Sequence, residues 1–364
     1  MFNRILLPLD RSTLAECVLP HTIAVAHAFE SRVTLLNVMD MPREARWRNA
    51  MDPLNWQIRK AEANAYLHEV DLRLQAAGLL TETHILEGFA AEQISGFSDT
   101  HAPQLIILSS HGQSGLSGWN VSGVVLKVIL RARTSIMIVR AYQPTPTEMT
   151  GLRYRRILVP IDGSQRAECV LPMACTLARF HKAQILLVHV VGRPEMPRRT
   201  PPGREDVEVA DRLVERNQTE ALQYLNDLRA QLPGEVQARI LVSNHIAATL
   251  HELVEQERID LVVLSAHGHS GLTQWPYGGV GISFITFGTT PVLIVQDLSR
   301  DEIQPGPAEI AAREQWKAIT HGPSVLAVDQ LLGSPESAVS PGDAAVVVQI
   351  QAPIALQSDQ VTAG

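Results

Sequence analysis

Two stretches of the sequence hold residue types that can cradle a phosphate. SSHGQSGLSGWNVSGVV begins at Ser109 and SAHGHSGLTQWPYGGVG at Ser265. Each follows a short apolar run and leads directly into a helical stretch. Glycines let a backbone approach a ligand closely, and the N–H groups at a helix N-terminus favour an anion. The candidate binding residues are Ser109, His111, Gly112, Gly115, Ser122 and Gly123 in the first stretch, and Ser265, His267, Gly268, Gly271, Gly278 and Gly279 in the second. A Gly-rich turn also serves as a tight strand-to-helix connection that binds nothing, so the turn alone leaves both readings open.

Other chemistry is thin. His111 and His267 sit beside a glycine, where hydrogen bonding within the loop is a simpler role than catalytic base or metal ligand. His267 and His269 make a His-x-His pair, but Gln113 stands at the second place in the first stretch, which argues against a metal site. Trp119 and Trp275 match each other, either as loop anchors or as shields over the phosphate. Glu16 and Glu168 read as solvated helix-face residues. Cys17, Cys169 and Cys175 form no spaced cluster and read as small buried hydrophobes. No carboxylate pair, Ser-His-Asp set or P-loop lysine is present, so fast phosphoryl transfer has no apparatus. A slow ATPase is the most that is expected.

The positioning elements are read from an internal repeat. ILLPLDRSTLAECVLP from Ile5 returns as ILVPIDGSQRAECVLP from Ile157, and the Gly-rich stretches return in the same order. Asp10 thus pairs with Asp162 and His111 with His267, the second spacing being a few residues longer. The chain is two copies of an α/β domain of about 140–150 residues. In the first copy strand signals fall at 4–9, 33–38, 83–86, 105–108 and 135–139, with helical spacing at 14–29, 56–77, 90–100 and 124–132. The second copy repeats this with strands at 157–161, 184–190, 236–241, 261–264 and 292–295. Its helices fall at 206–231, 247–258 and 279–287. Pro20 and Pro172 fall inside the first helix of their copies, where a proline costs about 3 kcal/mol; the repetition predicts a tolerated kink. The expected domains are 1–142 and 153–297, with a linker at 143–152 and a partly disordered tail at 298–364. Within the tail a short helix is expected near 308–317, and the apolar run AAVVVQI begins at Ala344.

Continuously apolar strands such as LIIL and LVVL suit a parallel sheet covered on both faces, and right-handed crossovers make it doubly wound. Ligands then sit beyond the carboxyl ends of the strands. Three segments converge there: the first strand's end at Pro8 and Asp10, or Pro160, Asp162, Gly163 and Ser164; the second strand's end at Val38 or Val190; and the Gly-rich stretch. A net charge of −7 gives no electrostatic reason to expect nucleic acid or an anionic membrane as a partner. No apolar stretch approaches the ~18–20 residues of a membrane span, and a soluble, cytoplasmic protein is expected.

These motifs resemble those of the universal stress protein family, over roughly residues 1–297. That family has a Pro-x-Asp strand end, a Ser-His-Gly-like turn, and the pattern Gly-x-x-Gly, nine residues, then Gly-Ser or Gly-Thr. Here Ser109 and Ser265 replace the first glycine, Ser122 replaces the later one in the first copy while Gly278 keeps it in the second, and Gly123 and Gly279 replace the hydroxyl residue. The resemblance implies two tandem, doubly wound, open parallel five-stranded sheets of the adenine-nucleotide alpha-hydrolase-like, Rossmann-like kind. It implies ATP or another adenine nucleotide as ligand, with Mg2+ able to accompany it, and a stress-response sensor or regulator with an unidentified protein partner. A non-nucleotide-binding interaction module of the same fold is the alternative. Asp10 and Asp162 either contact the adenosine or cap the following turn. The last strands, Ser135–Val139 and Val292–Val295, are apolar edges expected to pair as an intrachain pseudo-dimer; a homodimer of whole chains is compatible with this. The second copy, with Gly268, Gly278 and Gly163, is expected to bind the tighter. In the first, Arg11 must hold the same turn with a Cβ, and its side chain is a candidate phosphate contact.

Overall fold

A computed structural model describes residues 1–40, 53–113, 115, 121–142, 151–194, 203–269 and 277–298 of the chain. They lie in one compact unit, Met1–Ile310; a second unit, Ala311–Gly364, is outside the described residues, as are most of the linker and the expected tail elements.

In the first half the strands are β1 (Arg4–Pro8), β2 (Arg32–Met39), β3 (Leu80–Glu87), β4 (Leu105–Ser109) and β5 (Ser135–Val139). The helices are α1 (Val18–Phe29), α2 (Pro53–Ala76), α3 (Ala90–His101) and α4 (Gly123–Arg131). The second half repeats them as β6 (Arg156–Pro160), β7 (Gln184–Val191), β8 (Val236–Val242), β9 (Leu261–Ser265) and β10 (Val292–Val295). Its helices are α5 (Gln165–Glu168), α6 (Leu171–His181), α7 (Arg204–Gln231), α8 (Ile246–Gln256) and α9 (Gly279–Phe287). Within each half every strand pairing is parallel.

The two parallel five-stranded sheets join through their last strands, the pairing expected of these apolar edges. The strand order is β3-β2-β1-β4-β5-β10-β9-β6-β7-β8, and β5 meets β10 antiparallel, with Ile136, Met137 and Ile138 opposite Ile294, Leu293 and Val292. All six of these side chains are fully buried. At about 1.5–3 kcal/mol each, their burial is worth on the order of 10 kcal/mol. Successive strand residues feed opposite faces. Met137, Val139, Leu293 and Val295 join a core shared with α1 and α6, while Ile136, Ile138, Val292 and Ile294 join a core shared with α8 and α9. Each core runs through both halves.

The prolines do not kink a helix. A 3-10 turn, Ala15–Cys17, precedes α1, and Pro20 lies in the first turn of α1. In the second half α5 stops at Glu168 and Pro172 is the second residue of α6. First-turn N–H groups have no intrahelical partner, so a proline there removes no bond. The two glutamates are likewise more than solvated faces. Arg73 on α2 donates to Glu16 at 2.8 Å, and Tyr224 on α7 donates to Glu168 at 2.7 Å. Each carboxylate ties the first helical segment to the long helix beside it.

Across the junction α1 packs on α6, and there the histidines are buried. His21 Nδ1 is hydrogen-bonded to the Tyr154 hydroxyl at 2.8 Å, and His181 packs edge-on against the same ring. Burial pushes the pKa of His21 down to about 4. Burial, aided by Arg153, does the same for His181. The unfolded chain, with histidines near 6.5, then binds more protons than the folded one between pH 6.5 and 4, so stability falls as pH drops through that window. For His21 the loss approaches about 3 kcal/mol at pH 4. Thermal unfolding followed from pH 7 to 4 should show this decline, and His21→Leu, although less stable at pH 7, should show a flatter one. An unchanged pH slope in that variant would remove His21 from the account.

Candidate functional site

The site in each half begins where the first strand ends. In the first, Leu9 N–H bonds Leu36 of β2, and Asn37 Nδ2 donates to the Leu9 carbonyl at 2.7 Å. In the second, Ile161 N–H bonds Val188, and His189 Nδ1 bonds the Ile161 carbonyl at 2.8 Å. The peptide after Pro8 or Pro160 is thereby locked to the second strand, which aims the next residue.

That residue is Asp10 or Asp162. Asp10 Oδ1 accepts from the Ser12 amide at 3.0 Å and its hydroxyl at 2.6 Å, and Oδ2 accepts from the Gln113 amide at 2.5 Å. Asp162 does the same with Ser164 and the His269 amide. The aspartates therefore cap the following turn, and they also staple that turn to the Gly-rich loop. Burial alone would raise the Asp162 pKa, but the bonds from Ser164 and His269 outweigh it and hold the carboxyl below its usual range.

The staple explains the conserved spacing of glycine between the copies. A Cβ on Gly112 would overlap Asp10 Oδ2 and lie 2.9 Å from its Cγ; one on Gly268 would overlap Asp162 Oδ2 and lie 3.1 Å from its Cγ. Neither glycine has positive φ, so close approach of a carboxylate, not backbone freedom, requires it. Positive φ falls on Gly115 and Gly163. Arg11 holds the turn of Gly163 at φ +69° with a Cβ, at about 1–2 kcal/mol of strain. Its guanidinium lies 3.6 Å from Glu62.

Ser109 and Ser265 are not simple obstructions at the first glycine place. The Ser109 hydroxyl reaches the carbonyls of Leu14, at 3.0 Å, and His111, at 2.6 Å, and accepts from the Cys17 thiol at 3.4 Å. Cys169 makes the matching contact to Ser265 at 3.6 Å. Burial raises both thiols, Cys17 to about 11, so they stay protonated as donors. The reading of these cysteines as mere small hydrophobes missed this pairing.

Past the loops the halves diverge. Ser122 is the N-cap of α4, and its hydroxyl accepts from the Val125 amide at 3.4 Å. Gly278 is the N-cap of α9, and no side chain caps it. His111 Nδ1 is hydrogen-bonded to the neighbouring Ser110 hydroxyl at 3.1 Å, whereas His267 Nδ1 pairs with Asp297 Oδ1 at 2.7 Å, both side chains fully buried. Arg166 Nε lies 3.5 Å from the other oxygen of Asp297. Asp297 and Arg166 were not among the sequence candidates; the signal for them is a difference between copies, since Ala141 and Leu14 occupy the matching positions.

Next to this group a cavity of about 650 Å³ opens at the carboxyl ends of β6, β7 and β9. Of the candidates it brings together Pro160, Asp162, Val190, Ser265, His267, Gly268, Gly278 and Gly279. Ile246 and Leu250 of α8 and Tyr277, Val280 and Ile282 around the start of α9 complete the wall. Gly163 and Ser164 stand outside the lining, Ser164 spending its hydroxyl on Asp162 and on capping α5. In the first half Pro8, Asp10, Val38, Ser109, His111, Gly112, Ser122 and Gly123 occupy the matching positions at the strand ends and loop. Gly271, Trp119 and Trp275 lie outside the described residues.

Strands ordered this way, with a ligand-sized space at their carboxyl edge and a helix N-terminus beside it, define a Rossmann-like α/β class. The model of the universal stress protein family matches residues 1–140 and again 153–296. Universal stress protein MJ0531 of Methanocaldococcus jannaschii is 25% identical over 146 residues, 38% of this chain and 83% of that protein. Universal stress protein YxiE of Bacillus subtilis is 30% identical over 151 residues, 39% of this chain and 99% of that protein. The crystal structure of a universal stress protein from Archaeoglobus fulgidus has a similar fold, with a TM-score of 0.58 at 17% identity, over 82% of this chain and 100% of that one. The chain belongs to the universal stress protein family, as two tandem copies of its domain.

If the carboxylate sets the need for glycine, Gly268→Ala should destabilise the protein by about 1–3 kcal/mol through overpacking, and most of that loss should vanish in an Asp162→Ala background. A double-mutant cycle by denaturant unfolding checks it. Strictly additive losses would show that Asp162 is not what Gly268 makes room for.

Proposed function

We propose that the second half binds ATP or a related adenine nucleotide in the cavity beside α9, and that the protein acts as a stress-response sensor or regulator. One observation carries this reading: a cavity of about 650 Å³ with the side-chain-free N-terminus of α9 in its wall. Apolar surfaces from Val190, Leu250 and Ile246 suit the flat faces of a base, and the amides at Gly279 and Val280 suit a phosphate. Asp162 has both oxygens engaged in hydrogen bonds, so Mg2+ would arrive on the phosphates. In the first half Ser122 takes up a helix-start amide, and this half suits the alternative role of interaction module. Domains at 1–142 and 153–297 joined by a linker at 143–152, a cytoplasmic setting and a regulatory protein partner belong to the same reading.

Denaturing the purified protein and chromatographing the supernatant should release adenine nucleotide, or the refolded protein should take it up on titration. Exchanging the caps then tests the site. An added Cβ at Gly278 stays 3.5 Å from the nearest atom, the Ala266 carbonyl oxygen, so Gly278→Ser should fold. By engaging a helix-start amide it should weaken nucleotide binding about tenfold, since a hydrogen bond to a charged group is worth about 1.5–3 kcal/mol. Undiminished affinity in Gly278→Ser, or the same loss in an Asp10→Ala variant of the first half, would overturn the assignment to the second half.

The described residues at the site offer His267, buried and paired with Asp297, and no lysine. Steady-state release of phosphate from ATP should therefore be slower than about one per second. Faster turnover would mark the protein as an enzyme.

A further inference from the structure

The antiparallel junction does more than join two edges. Immediately after β5 stands Arg140, a residue of the first half that is 1% exposed. Its guanidinium reaches across the junction to the end of α9 in the second half, donating to the carbonyls of Phe284 at 2.5 Å and Ile285 at 3.1 Å. Two residues on, the Tyr142 hydroxyl donates to the carbonyl of Gly288, the C-cap of α9, at 3.1 Å. The Phe284 carbonyl also accepts the Gly288 amide at 3.1 Å, and the last turn of a helix carries the negative end of its dipole, so a cation there is favourable. Burial lowers the Arg140 pKa to about 10, which leaves it charged at neutral pH.

The arrangement is one-way. At the position matching Arg140 the second half has Gln296, which carries no charge. At the position matching Gly288 the first half has Ala132. A Cβ on Gly288 would lie 2.5 Å from the Phe284 carbonyl oxygen and 2.8 Å from Arg140 Nη2, so the guanidinium and the carbonyl it binds together crowd the space beside Gly288, where the first half has the Cβ of Ala132. Arginine and its glycine are present together in one direction and absent together in the other. The gripped helix is α9, whose opposite end, from Gly279 to Ile282, lines the cavity. Nine residues of α-helix span about 13 Å, a short rigid distance between grip and ligand.

We propose that Arg140 is a positioning residue for the ligand site of the second half: from across the junction it sets the placement of α9, and with it the amides that meet a nucleotide phosphate. This rests on the nucleotide reading above. It makes the site of one half depend on the integrity of the other, a coupling that runs both ways in binding free energy. Ligand in the cavity tightens the junction, and a disturbed junction loosens the cavity.

The test uses the full chain, with Arg140→Met and Arg140→Lys, and two measurements. The first is the Kd for ATP with Mg2+. The second, made without nucleotide, is hydrogen exchange at the Ile282 amide, which bonds the Gly278 carbonyl at the ligand end of α9. Arg140→Met should weaken ATP about tenfold, within the usual range of coupling between sites, and speed exchange at Ile282 while β6 and β7 stay protected. Arg140→Lys, which keeps a cation at the end of α9, should recover part of both effects. A variant that melts lower yet keeps wild-type affinity and wild-type exchange at Ile282 would reduce Arg140 to a local stabiliser and overturn the proposal. Should Arg140→Met not fold, Arg140→Lys decides by the same two readouts. If the wild-type protein takes up no ATP, the nucleotide reading fails on its own, and exchange at Ile282 still decides whether Arg140 holds the far end of the helix.

Discussion

The pairing of β5 with β10 is the constraint from which the remaining architecture follows. Ten strands form one sheet because two apolar edges, each an open row of donors and acceptors, satisfy one another. Since the pairing is antiparallel while everything within a half is parallel, the carboxyl ends of the two sets of strands point in opposite directions. The two Gly-rich loops therefore lie on opposite margins of the sheet. The same pairing brings α1 against α6, lets each hydrophobic core run through both halves, and places Arg140 at the end of α9. Were the halves joined through their linker alone, none of these cross contacts would exist.

Duplication produced two similar scaffolds and two dissimilar sites. The Asp10 and Asp162 staples, the Ser109–Cys17 and Ser265–Cys169 contacts, and the glutamate ties to the long helices occur in both halves. These hold the strand end, the turn and the loop in place whether or not anything binds. The differences cluster at the carboxyl ends of the strands. The first half has Arg11 in a left-handed turn, a hydroxyl capping α4, and Ala141 behind its histidine; the second has Gly163, a bare N-terminus on α9, and Asp297 behind His267. Shared contacts maintain the fold, and the unshared ones make the two loop ends chemically different.

Most of the fold was legible in the sequence because the repeat let each half check the other. Apolar runs such as LIIL and LVVL, with helical spacing between them, identify the strands and their order. Boundaries that the sequence obscured have local causes. Pro20 looks helix-interior until the preceding turn is seen to be a separate 3-10 segment, and then it is a first-turn proline with no bond to lose. Glu16 and Glu168 look solvated because their partners, Arg73 and Tyr224, are distant in sequence. At the site, residue types singled out Gly112 and Gly268 for the approach of a ligand, and the structure adds a second requirement, room for the oxygens of Asp10 and Asp162. Both requirements predict glycine, and only the location of the aspartate oxygens reveals the second. Asp297, Arg166 and Arg140 act through contacts that no single motif contains, and comparing the two copies position by position is what singles them out.

The order in which the sheet is completed has a consequence during synthesis. Strand β5 belongs to the first half and finds its partner in β10, the last strand of the second. Ribosomes add roughly 5–20 residues per second, so the first half waits on the order of 10 s or more with the Ser135–Val139 edge unpaired. Its fully buried Ile136, Met137 and Ile138 lack the second half's strand throughout that interval. The nascent first half is thus an open template, and whatever shelters that edge, whether a chaperone or another nascent copy, competes with the chain's own unfinished end.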